Sequence, residues 1–246
     1  QCIGANALAA VGSAYTLMVF LISILLGLSM GSGTVFSLQY GASDLSALRR
    51  SIYVSLLLIG TVTILLNVAV FLWLDPILRW LQVPYDIYPL MRNYLWIIFW
   101  GIVFTFLYNF YAALLRAVGD SVTPLWFLAV SVVLNIGLDL FLILVLDQGI
   151  EGAAVATVIA QGTAASGILL YTYKTRPELR LHREDMCFDR SSLREITSFS
   201  TLTCVQQSVM NFGILMVQGL VNSFGTVVMA AFAAAVKIDS FAYMPV

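Results

Sequence analysis

Long uncharged runs of Leu, Ile, Val and Ala restrict this chain to one kind of fold. They cover residues 1–43, 51–74, 93–115, 152–173 and 196–236, and a further run at 125–146 contains a single charge. A membrane-spanning helix needs about 20 mostly apolar residues, and only helices or closed barrels satisfy their backbone in lipid. The runs do not alternate between apolar and polar residues, which excludes a barrel. An all-α polytopic membrane protein is therefore predicted.

Six complete spans are predicted, with a seventh in part. They lie at about residues 5–33, 51–74, 93–115, 124–146, 150–173 and 194–222, and the seventh starts near Val227. Charged residues are 10% of the chain, against roughly 25% in soluble domains. The first residue is Gln, no charged signal-peptide start precedes the first run, and the last residues are still apolar. We expect the middle of a longer protein.

Lys and Arg are unequally distributed between the two sides of these spans. The connections after the first, third and fifth spans carry nine of them: Arg49, Arg50, Arg116, Lys174, Arg176, Arg180, Arg183, Arg190 and Arg194. The other side carries only Arg79 and Arg92, and the turn at 147–151 is purely acidic. The positive-inside rule makes the first set cytoplasmic. The expected location is the inner (cytoplasmic) membrane, with the lipid bilayer as the first partner.

Soluble-type enzyme chemistry has no candidate residues. His182 is the only histidine and lies in a charged loop, and Cys2, Cys187 and Cys204 have no CxxC spacing. No HExxH, GxSxG or phosphate-binding loop pattern occurs. A disulfide framework or zinc site is not expected. We also expect no enzyme activity, no cofactor and no nucleic-acid partner.

Asp139 is the single charge in the fourth apolar run, and Asn135 lies four residues before it. A carboxylate at membrane depth costs roughly 3 kcal/mol, so ionisable residues inside spans usually have a function. Residues four apart share a helix face, so the amide and the carboxylate point into one small volume. Two hard oxygen ligands suit a proton or a small hard cation. The alternative is a structural acid that hydrogen-bonds a neighbouring helix.

Thr157 is expected at the same depth as Asp139. The turn between the fourth and fifth spans centres near 148–149, nine or ten residues after Asp139 and eight or nine before Thr157. In an antiparallel helix pair rising 1.5 Å per residue, both lie roughly 13 Å below the outer turn. A hydroxyl bonded to its own helix backbone is the alternative for Thr157.

Small and polar residues inside the spans indicate packing or solute contacts. Small residues that let helix backbones approach recur at four-residue spacing, at Gly152, Ala156, Ala160 and Ala164, and at Gly27 and Gly31. The sixth span contains Gln206, Gln207 and Asn211, which either line a solute path or pair with neighbouring helices. Capping signals predict helix starts at Thr123-Pro124 and at the box Ser192–Glu195.

Short motifs occur in one order along nearly all of the chain. They are Gln39-Tyr40-Gly41-Ala42, the stretch LRAVGDSVTP at 115–124, Asn135-Ile136-Gly137-Leu138-Asp139, GIEGAAVAT at 149–157, and Lys237-Ile238-Asp239 with Met244-Pro245. Together they resemble the multidrug and toxic compound extrusion (MATE) family of secondary transporters. The resemblance implies twelve helices in two six-helix bundles. Residues 1–173 would form family helices two to six, 174–193 a cytoplasmic linker, and 194–246 helix seven and part of eight.

The resemblance also implies a site. Many family members bind the coupling cation with an Asp on the first helix, an Asn and an Asp on the fifth, and a Thr on the sixth. The last three correspond to Asn135, Asp139 and Thr157, which would be metal ligands only if the ion is sodium. An Asn of the fourth helix that lines the same cavity corresponds to Asn109. The first-helix Asp cannot be placed, because that helix is absent.

An internal repeat is consistent with two bundles. Residues 3–10 align with 224–231 at an offset of 221, so that Gly4 meets Gly225. The two helices are six spans apart, an even number that preserves direction. The halves would then be parallel repeats, an arrangement common in transporters.

The function expected from this resemblance is ion-coupled antiport by a monomer, with a proton or sodium ion driving export. Organic cations or amphipathic drugs as the solutes are implied by the resemblance alone. The alternative is a lipid-linked saccharide flippase of the same broader superfamily. That activity needs a larger and more basic cavity, whereas Lys and Arg here are nearly confined to the connections between spans. The sequence therefore favours the exporter.

Overall fold

Helices account for almost all of the chain in the computed structural model, which describes residues 5–182, 185 and 189–243, with side chains from 9 to 236. The helices are α1 (Ala5–Gly41), α2 (Leu45–Trp80), α3 (Tyr88–Trp100), α4 (Ile102–Ala117), α5 (Val122–Leu140), α6 (Gly149–Thr175), α7 (Arg190–Asn222) and α8 (Thr226–Tyr243). A π-helix, Phe141–Val145, continues α5, and a short 3-10 helix, Pro177–Leu179, follows α6. No strand occurs in the described residues, and the predicted all-α membrane class is confirmed.

Some sequence predictions concern residues outside this description. They are those on Cys2, Gly4, Arg183, Cys187, Met244 and Pro245, and on the side chains of Lys237 and Asp239.

The third predicted span is broken. Five helices are individually long and apolar enough to cross a membrane, and the pair α3 and α4 makes a sixth span with a bend of 46°. The sequence predicts one span over 93–115, and the structure divides it into two helices at Gly101. A Cβ on Gly101, at the break, would lie 2.9 Å from Oε1 of Gln161 and 3.0 Å from Cγ2 of Val158. The bend and the absent side chain therefore let α6 approach this point closely.

Helix α1 packs along the length of α7. A Cβ on Gly27 would lie 2.5 Å from Cα of Cys204, and one on Gly31 would overlap the backbone of Ser200. The two backbones therefore touch, as small residues at helix crossings allow. On another side of α1, the ring of Phe36 packs edge-on against Phe110 of α4, with ring centroids 5.9 Å apart.

Hydrogen bonds show that α1 and α7 run in opposite directions. Ser13 bonds to Asn222 at 2.9 Å, near the start of one helix and the end of the other, and Ser32 lies 3.2 Å from Ser200. Helix α8 begins after a short turn in which Gly225 has φ +90°. It therefore starts at the end of the bundle where α1 starts, which is the direction a parallel repeat requires. The match of Gly4 to Gly225 stays a prediction.

Two helix starts differ from the predicted caps. Helix α7 begins at Arg190, because the Asp189 carboxylate accepts hydrogen bonds from the amides of Ser191 and Ser192. Helix α5 begins at Val122, where Asp120 accepts from the Thr123 amide at 3.0 Å and its hydroxyl at 2.8 Å. In both places an Asp upstream of the predicted cap accepts from the first free amides, so the helix begins earlier.

Candidate ion site and solute cavity

Helices α5 and α6 pack antiparallel through a polar face of α5. Ser131 donates to the carbonyl oxygen of Ala160 at 3.0 Å. One turn later, Nδ2 of Asn135 donates to Oγ1 of Thr157 at 3.4 Å. These contacts set the register between the helices. Ser131, Asn135 and Asp139 recur every four residues and therefore share the face directed at α6.

The structure brings Asn135 and Thr157 together, as the predicted site requires. The Thr157 hydroxyl donates to the carbonyl oxygen of Ala153 at 2.9 Å, so the alternative of a bond to its own helix also holds. The same oxygen accepts the long hydrogen bond from Asn135. Both side chains are half-buried. Thr157 can thus fix the orientation of the Asn135 amide while keeping its oxygen next to the site.

Asp139 lies one turn nearer the outer turn than the Asn135–Thr157 contact. The register places it at the level of Ala153, so the prediction that Asp139 and Thr157 share one depth was wrong by about one helical turn. The turn itself lies at 146–148 and is centred earlier than the predicted 148–149, which accounts for most of the difference. The π-helix Phe141–Val145 adds to it. Its i to i+5 bonding advances less along the axis per residue than an α-helix, which a count of residues cannot anticipate.

The Asp139 carboxylate is incompletely paired within the described part of the chain. Oδ1 is buried and accepts no hydrogen bond from any described residue. The phenol of Tyr94, on α3, lies within electrostatic range of the carboxylate. A buried charge without a partner is costly, so a proton or a bound cation at Oδ1 would relieve the cost. Asp139 also lies two residues before the π-helix, a type of distortion that occurs frequently at functional sites.

Asn109 lines two cavities on the predicted cytoplasmic half of the bundle. One, of about 530 Å³ between α4, α5 and α6, is lined by Thr105, Tyr108, Asn109, Arg116, Ser121, Pro124, Leu125, Leu128, Ser131, Gln161 and Ala164. The other, of about 690 Å³, lies between α1 and α4 and shares Asn109 and Arg116 with the first. The Asn109 amide donates to the Thr105 carbonyl at 2.8 Å, within its own helix.

Asn109 and Asp139 lie at different depths. Helix α4 runs parallel to α6, since Thr105 bonds to Gln161 and the later residues Ala112 and Leu115 pack on Ile168. Asn109 therefore lies near the level of Ala165. On α6 this is twelve residues beyond Ala153, which marks the level of Asp139. At 1.5 Å per residue this is about 18 Å along α6. The expectation that Asn109 lines the same cavity as the ion site is not met.

The three polar residues predicted on α7 lie away from these cavities. Gln206 is exposed, Gln207 is half-buried, and the buried Asn211 donates to the Gln207 carbonyl at 2.9 Å within its own helix. Helix α7 packs on the face of α1 that contains Gly27 and Gly31. The cavity between α1 and α4 faces other positions of α1: Leu26, Met30, Gly33, Thr34, Ser37 and Leu38. The structure does not bring these residues to Asn109.

Several polar residues of the bundle were missed from the sequence. Gln161 accepts from the Thr105 hydroxyl at 3.0 Å and lines the first cavity. Ser131 and Gln161 each lie four residues from a predicted site residue, Asn135 and Thr157. Extending the site along the same helix faces by one turn would have found both.

A buried network at the outer end of α7 was also missed. Gln218 donates to Ser13 at 2.9 Å and to Oδ1 of Asn222 at 2.8 Å, and Asn222 donates to the carbonyl oxygen of Leu81 at 2.9 Å. Ser13, Gln218 and Asn222 are each less than 5% exposed. The network joins α1, α7 and the end of α2 at one point.

Apolar spanning helices around an intramembrane carboxylate and polar cavities define a multi-pass membrane protein with the architecture of a transporter. The chain belongs to the MatE family, whose model matches residues 1–141. This family is one of transporters and not of enzymes, which confirms the expectation for this chain.

Three similar proteins illustrate the relationship. The probable multidrug resistance protein YpnP of Bacillus subtilis is 34% identical over 99% of this chain and 54% of its own length. The multidrug export protein MepA of Staphylococcus aureus is 27% identical over 93% of this chain and 52% of its own length. The structure of the MATE multidrug transporter DinF-BH aligns with a TM-score of 0.90 at 25% identity, covering 100% of this chain and 55% of the other. The chain spans about half the length of these relatives.

Proposed function

We propose that this chain is part of a multidrug exporter of the inner membrane that exchanges amphipathic drugs or organic cations for a proton or sodium ion. Support for drug export comes from the relatives, which are described as multidrug resistance and export proteins. Support for ion coupling comes from one observation, the buried Oδ1 of Asp139 without a hydrogen-bond partner among the described residues.

The proposed coupling uses Asp139 as the group that changes charge. A cation entering from outside neutralises the carboxylate and removes the cost of a bare charge in a low-dielectric site. The state with the neutralised carboxylate is then favoured over the state in which the carboxylate is bare. A ligand shifts such an equilibrium only by its difference in affinity for the two states, so the ion and the solute must prefer opposite ones.

The two candidate ions require different partners. A proton needs only the carboxylate, whereas sodium needs several oxygen ligands. Among the described residues, no three His, Cys, Asp or Glu side chains cluster as metal ligands. Sodium would therefore depend on the amide of Asn135 and the hydroxyl of Thr157 in addition to Asp139. The protein is proposed to act as a monomer in either case.

The proposal is tested with Asp139→Asn, which keeps the side-chain volume and removes the titration. Because the chain spans about half of its relatives, drug efflux is measured with the full-length protein under imposed proton and sodium gradients. The expected result is loss of gradient-driven export with normal insertion into the membrane. The matched control is Asp147→Asn, the same substitution in the exposed outer turn, which should export normally. Normal export by Asp139→Asn would show that coupling does not use this carboxylate.

A further inference from the structure

Arg116 lies where the two cavities beside α4 meet. It is exposed near the end of the helix, and it lines both cavities together with Asn109, seven residues earlier on the same helix. Two other arginines on this side of the bundle are paired: Arg176 lies 3.7 Å from Asp120, and Arg49 lies 2.9 Å from Asp185. Arg50, Arg190 and Arg194 make no ion pair in the described residues, but they line neither of the two cavities. Arg116 makes no ion pair within the described part of the chain.

The charge of Arg116 is not balanced within either cavity. It is the only charged residue among those that line them, and no carboxylate is present in either lining. Asp120, four residues later, is already occupied by the amide and hydroxyl of Thr123 and by Arg176. Asp139 is at a level about 18 Å from that of Asn109 along α6. The cavities therefore present a positive charge to any solute that enters them.

The walls of the first cavity suit an apolar body. Pro124, Leu125, Leu128 and Ala164 form one part of the lining, and the amides of Asn109 and Gln161 form another. A guanidinium offers five N–H donors in a planar fork that matches carboxylate, sulfonate or phosphate oxygens. The volume of about 530 Å³ is within the range of small-molecule sites.

We propose that Arg116 and Asn109 form a binding site for the head of an amphipathic anion, with its apolar body against Pro124, Leu125 and Leu128. The site deepens the export proposed above, because it assigns the sign of the solute charge, opposite to the organic cations expected from the resemblance. Binding itself requires neither an ion gradient nor Asp139. The same head-group chemistry is present in soluble carboxylates and sulfonates and in anionic lipids.

The experiment measures equilibrium binding to the protein in phosphatidylcholine nanodiscs. Three fluorescent probes share one dansyl-alkyl body and carry a carboxylate, its neutral methyl ester or a trimethylammonium group. The carboxylate should bind at least about tenfold more tightly than the trimethylammonium probe. Arg116→Gln should weaken carboxylate binding by about tenfold or more, as expected for a charge-assisted hydrogen bond. Unchanged binding of the ester would show that the cavity is intact, and Arg116→Lys should lose part of the affinity.

Arg50→Gln is the matched control, because it removes the same charge from the same predicted face without touching either cavity. Replacing part of the lipid with phosphatidylglycerol identifies the source of the anion. Competition in the wild type but not in Arg116→Gln indicates an anionic lipid head group, and no competition indicates a soluble anion. Equal affinity for the carboxylate and trimethylammonium probes would overturn the site. So would an equal loss in Arg50→Gln, which would indicate surface charge alone.

Discussion

The side-chain amide of Asn135 donates a hydrogen bond of 3.4 Å to the hydroxyl of Thr157 across the interface between α5 and α6. The hydroxyl in turn donates a hydrogen bond to the carbonyl oxygen of Ala153, which lies at the level of Asp139. Polar contacts thus extend from Asn135 towards the carboxylate, although Thr157 itself lies one turn from it. This relationship makes Thr157 the residue that can distinguish the two candidate ions.

Thr157→Ala is expected to weaken sodium-driven export more than proton-driven export. The substitution removes an oxygen that a metal ion would need and leaves the carboxylate that a proton needs. Export by the full-length protein is compared under the two gradients. Thr163→Ala is the control, because its exposed hydroxyl bonds only to the carbonyl of Ile159 on the same helix. An equal loss under both gradients would remove Thr157 from the list of ion ligands.

Gly31→Ala is expected to destabilise the protein by about 1–3 kcal/mol, the usual cost of overpacking a tight contact. The new Cβ would meet the backbone of Ser200, which has no flexible end to move aside. Gly213→Ala is the control on α7, where a Cβ has open space and should stabilise the helix by up to about 1 kcal/mol. Unfolding in detergent measures both. Equal stability of the two variants would contradict the close contact of α1 and α7.

Asn222→Leu is expected to cost about 1–3 kcal/mol for each polar group left buried without a partner. The substitution would remove the amide that donates to the Leu81 carbonyl oxygen. It would also remove the oxygen that accepts hydrogen bonds from Ser13 and Gln218. Ser223→Ala, at the exposed next position, loses only a bond to Leu220 and should be nearly neutral. The same unfolding assay compares them. A stable Asn222→Leu variant would mean that water satisfies these groups.

Stability should fall at acidic pH through Asp120 and Asp185. Burial raises the pKa of Asp120, but hydrogen bonds from Thr123 and the charge of Arg176 lower it more, so that the net pKa lies below the usual 3.8. Asp185 is lowered in the same way, against burial, by the His182 amide and Arg49. Both carboxyl groups have a lower pKa in the folded protein than in the unfolded chain. Their contribution to the free energy of unfolding is therefore complete above about pH 3.8 and is lost as the pH falls below it.

Asp120→Ala should cost about 1 kcal/mol at neutral pH, as for loss of a helix cap. The difference from the wild type should shrink as pH falls below 3.8, because the protonated carboxyl accepts hydrogen bonds poorly. Thermal unfolding at a series of pH values measures this convergence. Ser223→Ala, which removes no carboxyl group, should show no such trend. A difference that does not change with pH would exclude titration of Asp120 as the cause.

Cys187 should be inaccessible to an impermeant thiol reagent in intact cells and reactive once the cells are opened. The reason is the excess of Lys and Arg in the tract 174–194, which the positive-inside rule assigns to the cytoplasm. The measurement uses a variant in which Cys2 and Cys204 are replaced by Ala, so that one thiol reports. Labelling in intact cells would reverse the orientation, and the ion would then reach Asp139 from the cytoplasm.

Local sequence was sufficient to predict those features of the fold that depend on a single residue or a single apolar run. Hydropathy placed every span, because lipid offers the backbone no partner other than its own helix. A spacing of four residues put Asn135 and Asp139 on one face, and Gly27 and Gly31 marked the contact of α1 with another helix. Caps were less well predicted, since an Asp upstream competed for the same amides at Thr123 and Ser192.

The sequence by itself determined an all-α membrane protein of the MatE family and a single carboxylate, Asp139, in the apolar run that forms α5. Only the tertiary structure decided the break at Gly101, the register that places Thr157 opposite Asn135, and the depth that separates Asn109 from Asp139. It also decided that Arg116 is the one charged residue among those lining the two cavities beside α4. Each of these depends on contacts between helices distant in sequence or on a local π-helix. Hydropathy does not encode them, because exchanging one apolar residue for another changes packing without changing the tendency to span.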